Sequence, residues 1–103
     1  MLDTSLLSSI ATQLMTANEV EVEGKQLPVR RTRGRRLRIV AFTMAGRRYL
    51  AIEQNPEKPS QWGQLAQGGN QVVQFKDVES NKFVGVAVDG QVTEYGSGER
   101  DIK

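Results

Sequence analysis

Glu19, Glu21 and Glu23 alternate with valine in the stretch EVEVEG and form the densest carboxylate set in the chain. On an extended strand alternate side chains share a face, with neighbours about 6.5–7 Å apart. Three such oxygen donors could hold a hard cation such as Ca²⁺ or Mg²⁺. A single exposed row makes a poor cage, because cation sites gather ligands from several segments. Opposite charges on facing strands stabilise pairing. The three glutamates are therefore expected to lie across a hairpin from the segment bearing Arg30, with no metal bound.

The second cluster is basic. RRTRGRRLR, residues 30–38, holds six arginines in nine positions, and Arg47 and Arg48 follow. Arginine offers a planar fork of donors matched to carboxylate or phosphate. Arg31, Arg33, Arg35 and Arg36 flank Gly34 and are the candidate binding residues. Arg47 and Arg48 are expected about one strand length away, as a separate tip.

Much other chemistry is excluded. The chain has no histidine and no cysteine. Ser-His-Asp and Cys-His nucleophiles, disulfides and zinc sites built on His or Cys are ruled out. No P-loop is present, and no G-x-G-x-x-G follows a strand. Asp77, Glu79 and Asp89 fall near turns, where acids commonly serve the backbone. No carboxylate, lysine or tyrosine set converges, so no enzymatic activity, cofactor or small-molecule substrate is expected.

The elements that must position these residues follow from period and punctuation. Residues 4–17 read as a helix, with Leu6, Ile10 and Leu14 every four residues and Leu7 and Ala11 beside them. Asp3 or Thr4 can cap it. A lone helix of this length is marginal in water and must dock. Its target is the chain's own sheet or, with Leu6, Ile10 and Leu14 as the interface, a second copy.

The pattern then switches to period two. Val20 and Val22, then Leu27 and Val29 after Gly24, predict a hairpin. Pro28 places its strand at an edge, since it cannot donate to a ladder. Leu37–Met44 is apolar on both faces and predicts a strand covered on both sides. Ala45-Gly46 is a tight turn, and a two-residue loop sets Phe42 opposite Tyr49 and Arg38 opposite Glu53. A short helix is expected at about 60–67, pinned by Trp62. Three strands follow, QVVQFKD, KFVGVAV and QVTEYG, turned at Ser80-Asn81 and Asp89-Gly90. The second turn has type I′ character and sets Val86 opposite Thr93 and Val84 opposite Tyr95.

The fold class expected is thus α+β: an N-terminal amphipathic helix and about seven antiparallel strands. The hairpin meander would form a strongly curved sheet or a partly open barrel. A length of 103 residues fits one domain, taken as residues 1–96 with a flexible tail at 97–103.

Net charge is only +2 but unevenly spread. Residues 25–48 carry nine bases and no acid, whereas both flanks are net acidic. No apolar run approaches the roughly 18 residues of a membrane span, and the N-terminus lacks the basic start of a signal peptide. A cytoplasmic location without membrane contact is expected. The favoured function is a small non-enzymatic protein-interaction module, binding a protein partner or itself. The alternative is a nucleic-acid-binding module that uses the Arg30–Arg38 loop.

Overall fold

In the computed structural model, which describes residues 3–34, 36–54 and 71–95, the apolar stripe becomes helix α1, Thr4–Thr16. The Asp3 carboxylate accepts the Leu6 N–H at 3.1 Å and caps the first turn. The last turn ends on Ala17, whose N–H donates to the Gln13 carbonyl. Leu7, Ile10, Ala11 and Leu14 are buried against the chain's own sheet. Full burial of a leucine-sized side chain contributes roughly 1.5–3 kcal/mol. Docking therefore supplies what helix propensity alone does not.

Eight strands follow: β1 Glu19–Val22, β2 Lys25–Pro28, β3 Arg30–Arg31, β4 Arg38–Met44, β5 Arg47–Glu53, β6 Val72–Asp77, β7 Lys82–Val88 and β8 Gln91–Glu94. All pairings are antiparallel. β1 and β2 form a two-stranded sheet, and β3 to β8 form an open six-stranded sheet in sequence order. The class is α+β, and the larger sheet is not closed. The expected helix at 60–67, Trp62, Arg35 and the tail at 97–103 lie outside the described residues.

Where eight strands replace the expected seven, the cause is a bend. Residues 25–31 are nearly continuous strand, interrupted at Val29. The first part pairs with β1, and Arg30 and Arg31 pair with Ile39 and Arg38 of β4. The Val29 N–H still donates to Asn18, so one edge of the segment serves β1 throughout. The other edge faces β4, and there the ladder stops at Arg30.

The turn predictions hold. Ala45 and Gly46 both have positive φ, as a type I′ turn requires, and Phe42 pairs with Tyr49. Asp89 and Gly90 behave alike, and Val86 pairs with Thr93. The Tyr95 N–H donates to Val84.

β4 differs from expectation. Val40, Phe42 and Met44 are buried, whereas Ala41 and Thr43 are exposed, so this strand is covered on one face only. The strand covered on both faces is β6, where Val72, Val73, Gln74 and Phe75 are all buried. β6 sits inside the sheet order with two full-length neighbours, whereas β4 has only the two-residue β3 outside it.

Beneath α1 the core centres on Phe75, which stands edge-on to Phe42 with ring centroids 6.5 Å apart. Phe42 in turn stacks on Tyr49 at 5.7 Å. No helix among the described residues is long and apolar enough to cross a membrane.

Candidate functional site

The arginine segment is a closed loop, not a loose arm. The Thr32 N–H donates to the Leu37 carbonyl, and the Leu37 N–H donates to the Thr32 hydroxyl oxygen, each at 2.9 Å. The Arg31 guanidinium reaches across the loop to the Arg36 carbonyl. Gly34 and Arg36 both sit at positive φ, and for Arg36 this is an uncommon backbone state. Arg30, Arg31, Arg33 and Arg36 are exposed and make no ion pair among the described residues.

The glutamate row does not meet these arginines. Glu19 lies opposite Pro28 and Glu21 opposite Gln26. Arg30 belongs to the other sheet, opposite Ile39. Glu21 is engaged locally, where its carboxylate accepts the Gly24 N–H at 2.8 Å. The Gln13 side chain acts as a strand neighbour to β1, accepting the Glu21 N–H and donating to the Glu21 carbonyl. Gln13 thus covers the outer edge of the hairpin.

Arg38 is opposite Glu53, as the turn dictates, but their contact uses the backbone. Glu53 accepts the Arg38 main-chain N–H at 2.9 Å. The Arg38 guanidinium instead donates to the Leu14 carbonyl, tying β4 to the last turn of α1. A cation suits that end of a helix.

Ion pairing among the described residues concentrates on Arg47, which the sequence reading set apart only as a hairpin tip. Arg47 donates from Nε and Nη2 to Asp77 Oδ2, at 2.9 and 2.7 Å, and its Nη1 lies 3.6 Å from Glu79. The Arg47 guanidinium holds the Asp77 carboxyl below its ordinary range. Burial opposes this, and N–H donors from Ser80 and Glu79 reinforce it. Reciprocally, Asp77 raises the Arg47 pKa. This arrangement closes the β6–β7 turn onto β5 and leaves Arg48 as the cation of the β4–β5 tip with no ion pair among the described residues.

Of the candidate interface residues, Ile10 and Leu14 are fully buried within the single chain and Leu6 is partly buried. These side chains form the chain's own core. A second copy could reach Ile10 and Leu14 only if that core opened.

The feature that sequence reading missed is a cleft of about 580 Å³ between the β1–β2 hairpin and β4–β5. Val22, Lys25 and Leu27 line one wall, Ala41 and Thr43 the other, and Phe42 and Tyr49 contribute apolar surface. Pro28 stands where the ladder beside it ends. Extending the β3–β4 register would set Pro28 against Ala41 and Gln26 against Thr43. In an antiparallel ladder these would be pairs that exchange two hydrogen bonds, as Arg30 and Ile39 do. Pro28 has no N–H to exchange, so the ladder ends and the two strands part. The only sequence signal was the proline within a strand pattern, read there as an edge.

Ala41 and Thr43 consequently direct their backbone groups into the cleft. The two-residue turn makes Met44 and Arg47 a hydrogen-bonded pair, and alternation assigns Phe42 and Val40 to β5 in the same way. The N–H and C=O groups of Ala41 and Thr43 point the other way, where no described strand pairs with them.

Comparison with known protein families, characterised proteins and solved structures returned no match.

Proposed function

We propose that the chain is a non-enzymatic protein-interaction module that receives its partner in the cleft between β2 and β4. The observation that carries this reading is the flank of β4 at Ala41–Thr43, with which no described strand pairs. Proteins normally guard such an edge with lysine, proline, a bulge or a covering element. Here the edge residues are Ala and Thr, both exposed, beside the apolar side chains of Leu27 and Tyr49. Gln13 covers the comparable flank of β1, whereas no described residue covers that of β4 at Ala41 and Thr43. Asp3 caps α1, Glu21 and Asp89 accept main-chain N–H groups near turns, Glu53 accepts the Arg38 main-chain N–H, and Asp77 and Glu79 hold Arg47, a pattern that favours binding over catalysis.

A photo-crosslinking amino acid at position 43 tests the reading in extract from the source organism. The expected result is a discrete protein adduct that a crosslinker at Thr93, exposed on β8, does not give. Equal labelling from both positions would count against the cleft.

The exposed Arg30, Arg31, Arg33 and Arg36, which make no ion pair among the described residues, favour nucleic acid as a second reading. Phosphate binding falls steeply with salt, with a slope of about 0.9 per phosphate contact on duplex DNA. Under that reading labelled DNA or RNA would bind at about 50 mM salt and weaken sharply at about 200 mM. Arg33→Ala with Arg36→Ala would flatten the slope, and the adduct at position 43 would be sensitive to nuclease.

A further inference from the structure

We infer that the occupant of the cleft is an extended acidic peptide segment that adds to β4 as a strand, hydrogen-bonded to Ala41 and Thr43. The inference rests on the interaction reading above and specifies its partner.

Backbone geometry sets the mode. Ala41 and Thr43 present one N–H and one C=O each toward the cleft, two residues apart, which is the spacing an antiparallel strand satisfies. β3 already occupies the same side of β4 at Ile39, and β2 still approaches β4 to within 8 Å. The β1–β2 hairpin must therefore swing outward for an added segment to continue that row, since strands lie about 4.8 Å apart. Ala41 and Thr43 are small, and their side chains leave the flank open. Leu27, Leu50 and Val78, each partly exposed, offer apolar surface to alternate side chains of the added segment.

Charge sets the composition. The cleft lining carries Lys25 and Arg48 against a single acid, Glu23. Arg30 stands at the end of the row, opposite Ile39. None of these three cations makes an ion pair among the described residues. The arginine loop continues the positive potential beyond Arg30. A segment alternating Val with Asp or Glu meets both the apolar wall and the cationic rim, and a basic segment would be repelled.

The probe is the acetylated, amidated heptapeptide Asp-Val-Glu-Val-Asp-Val-Glu, titrated into the ¹⁵N-labelled full chain at about 50 mM salt. Three control peptides accompany it: the same peptide with lysine at every acid, and two acidic peptides N-methylated at alternate amides, one along each edge. The acidic peptide should bind at least roughly tenfold tighter than the lysine peptide. It should shift the Ala41 and Thr43 amides and slow their exchange, and Arg48→Glu should weaken it by about tenfold. One of the two N-methylated peptides should fail to bind.

Binding that survives N-methylation on both edges would overturn strand addition, as would shifts confined to Arg33 and Arg36 or peptide-independent dimerisation through β4. If any of these occurs while the adduct from position 43 still forms, the strand inference falls and the interaction reading stands. If neither the peptide binds nor the adduct forms, both fall.

Discussion

At the scale of single residues, side chains of one type do unlike work. Of the described arginines, Arg47 is committed to Asp77 and Glu79, Arg38 to a helix carbonyl, and Arg31 to its own loop. Arg30, Arg33, Arg36 and Arg48 are left without an ion pair among the described residues. Composition could not make this division, because every arginine lies within the same basic stretch except Arg100. The pairing of Arg47 depends on β6 returning beside β5, a contact thirty positions distant in sequence.

Asp77 gives a direct test at this scale. Its carboxyl is held below the ordinary value of 3.8 chiefly by the Arg47 hydrogen bonds. A lowered native pKa means that the unfolded chain binds protons more readily through that window, so folding is favoured by rising pH. The contribution is complete above 3.8 and is lost as pH falls through the depressed native value. Asp77→Asn should therefore be less stable than the parent at neutral pH in urea denaturation. The gap should close on acidification below 3.8. A gap that stayed constant to low pH would show that the charge contributes nothing.

At the scale of elements, most of the fold was legible. The period of the helix, the Ala45-Gly46 and Asp89-Gly90 turns, and two registers follow from local rules that neighbours within a few residues settle. Burial of β4 did not follow, because Leu37–Met44 is apolar on both sides by composition. Whether its second face is covered depends on whether another layer packs there, and α1 covers only the face that carries Val40, Phe42 and Met44. The end of the β3–β4 ladder beside Pro28 appears only once β3 and β4 are paired. Restoring the missing donor should repair the ladder. Pro28→Val allows residue 28 to bond Ala41, and one added backbone hydrogen bond contributes about 1 kcal/mol. The variant should be more stable by that order in denaturant titration. Its cleft should narrow, weakening the acidic heptapeptide. Unchanged stability together with unchanged binding would place the cause of the opening elsewhere.

For the whole molecule, the two sheets are one meander interrupted at a single position. α1 covers one face through Leu7, Ile10, Ala11 and Leu14, and Ser8 donates to the Gly90 carbonyl at the far hairpin. Removing the helix would uncover Phe42 and Phe75, so its deletion probes folding before it probes docking. The site was less legible than the fold. The arginine loop was visible as charge, whereas the cleft arises from a ladder that fails to form and from two walls distant in sequence.

Hydrogen exchange along β4 measures the open flank most directly. The amides of Val40 and Phe42 donate to β5 and should be strongly protected. Those of Ala41 and Thr43, between and beyond them, face the cleft and should exchange far faster in the unliganded chain. An alternating pattern across these four residues is the predicted result. Uniform protection from Val40 to Thr43 would mean that β4 is already paired on its outer side, and no strand could be received there.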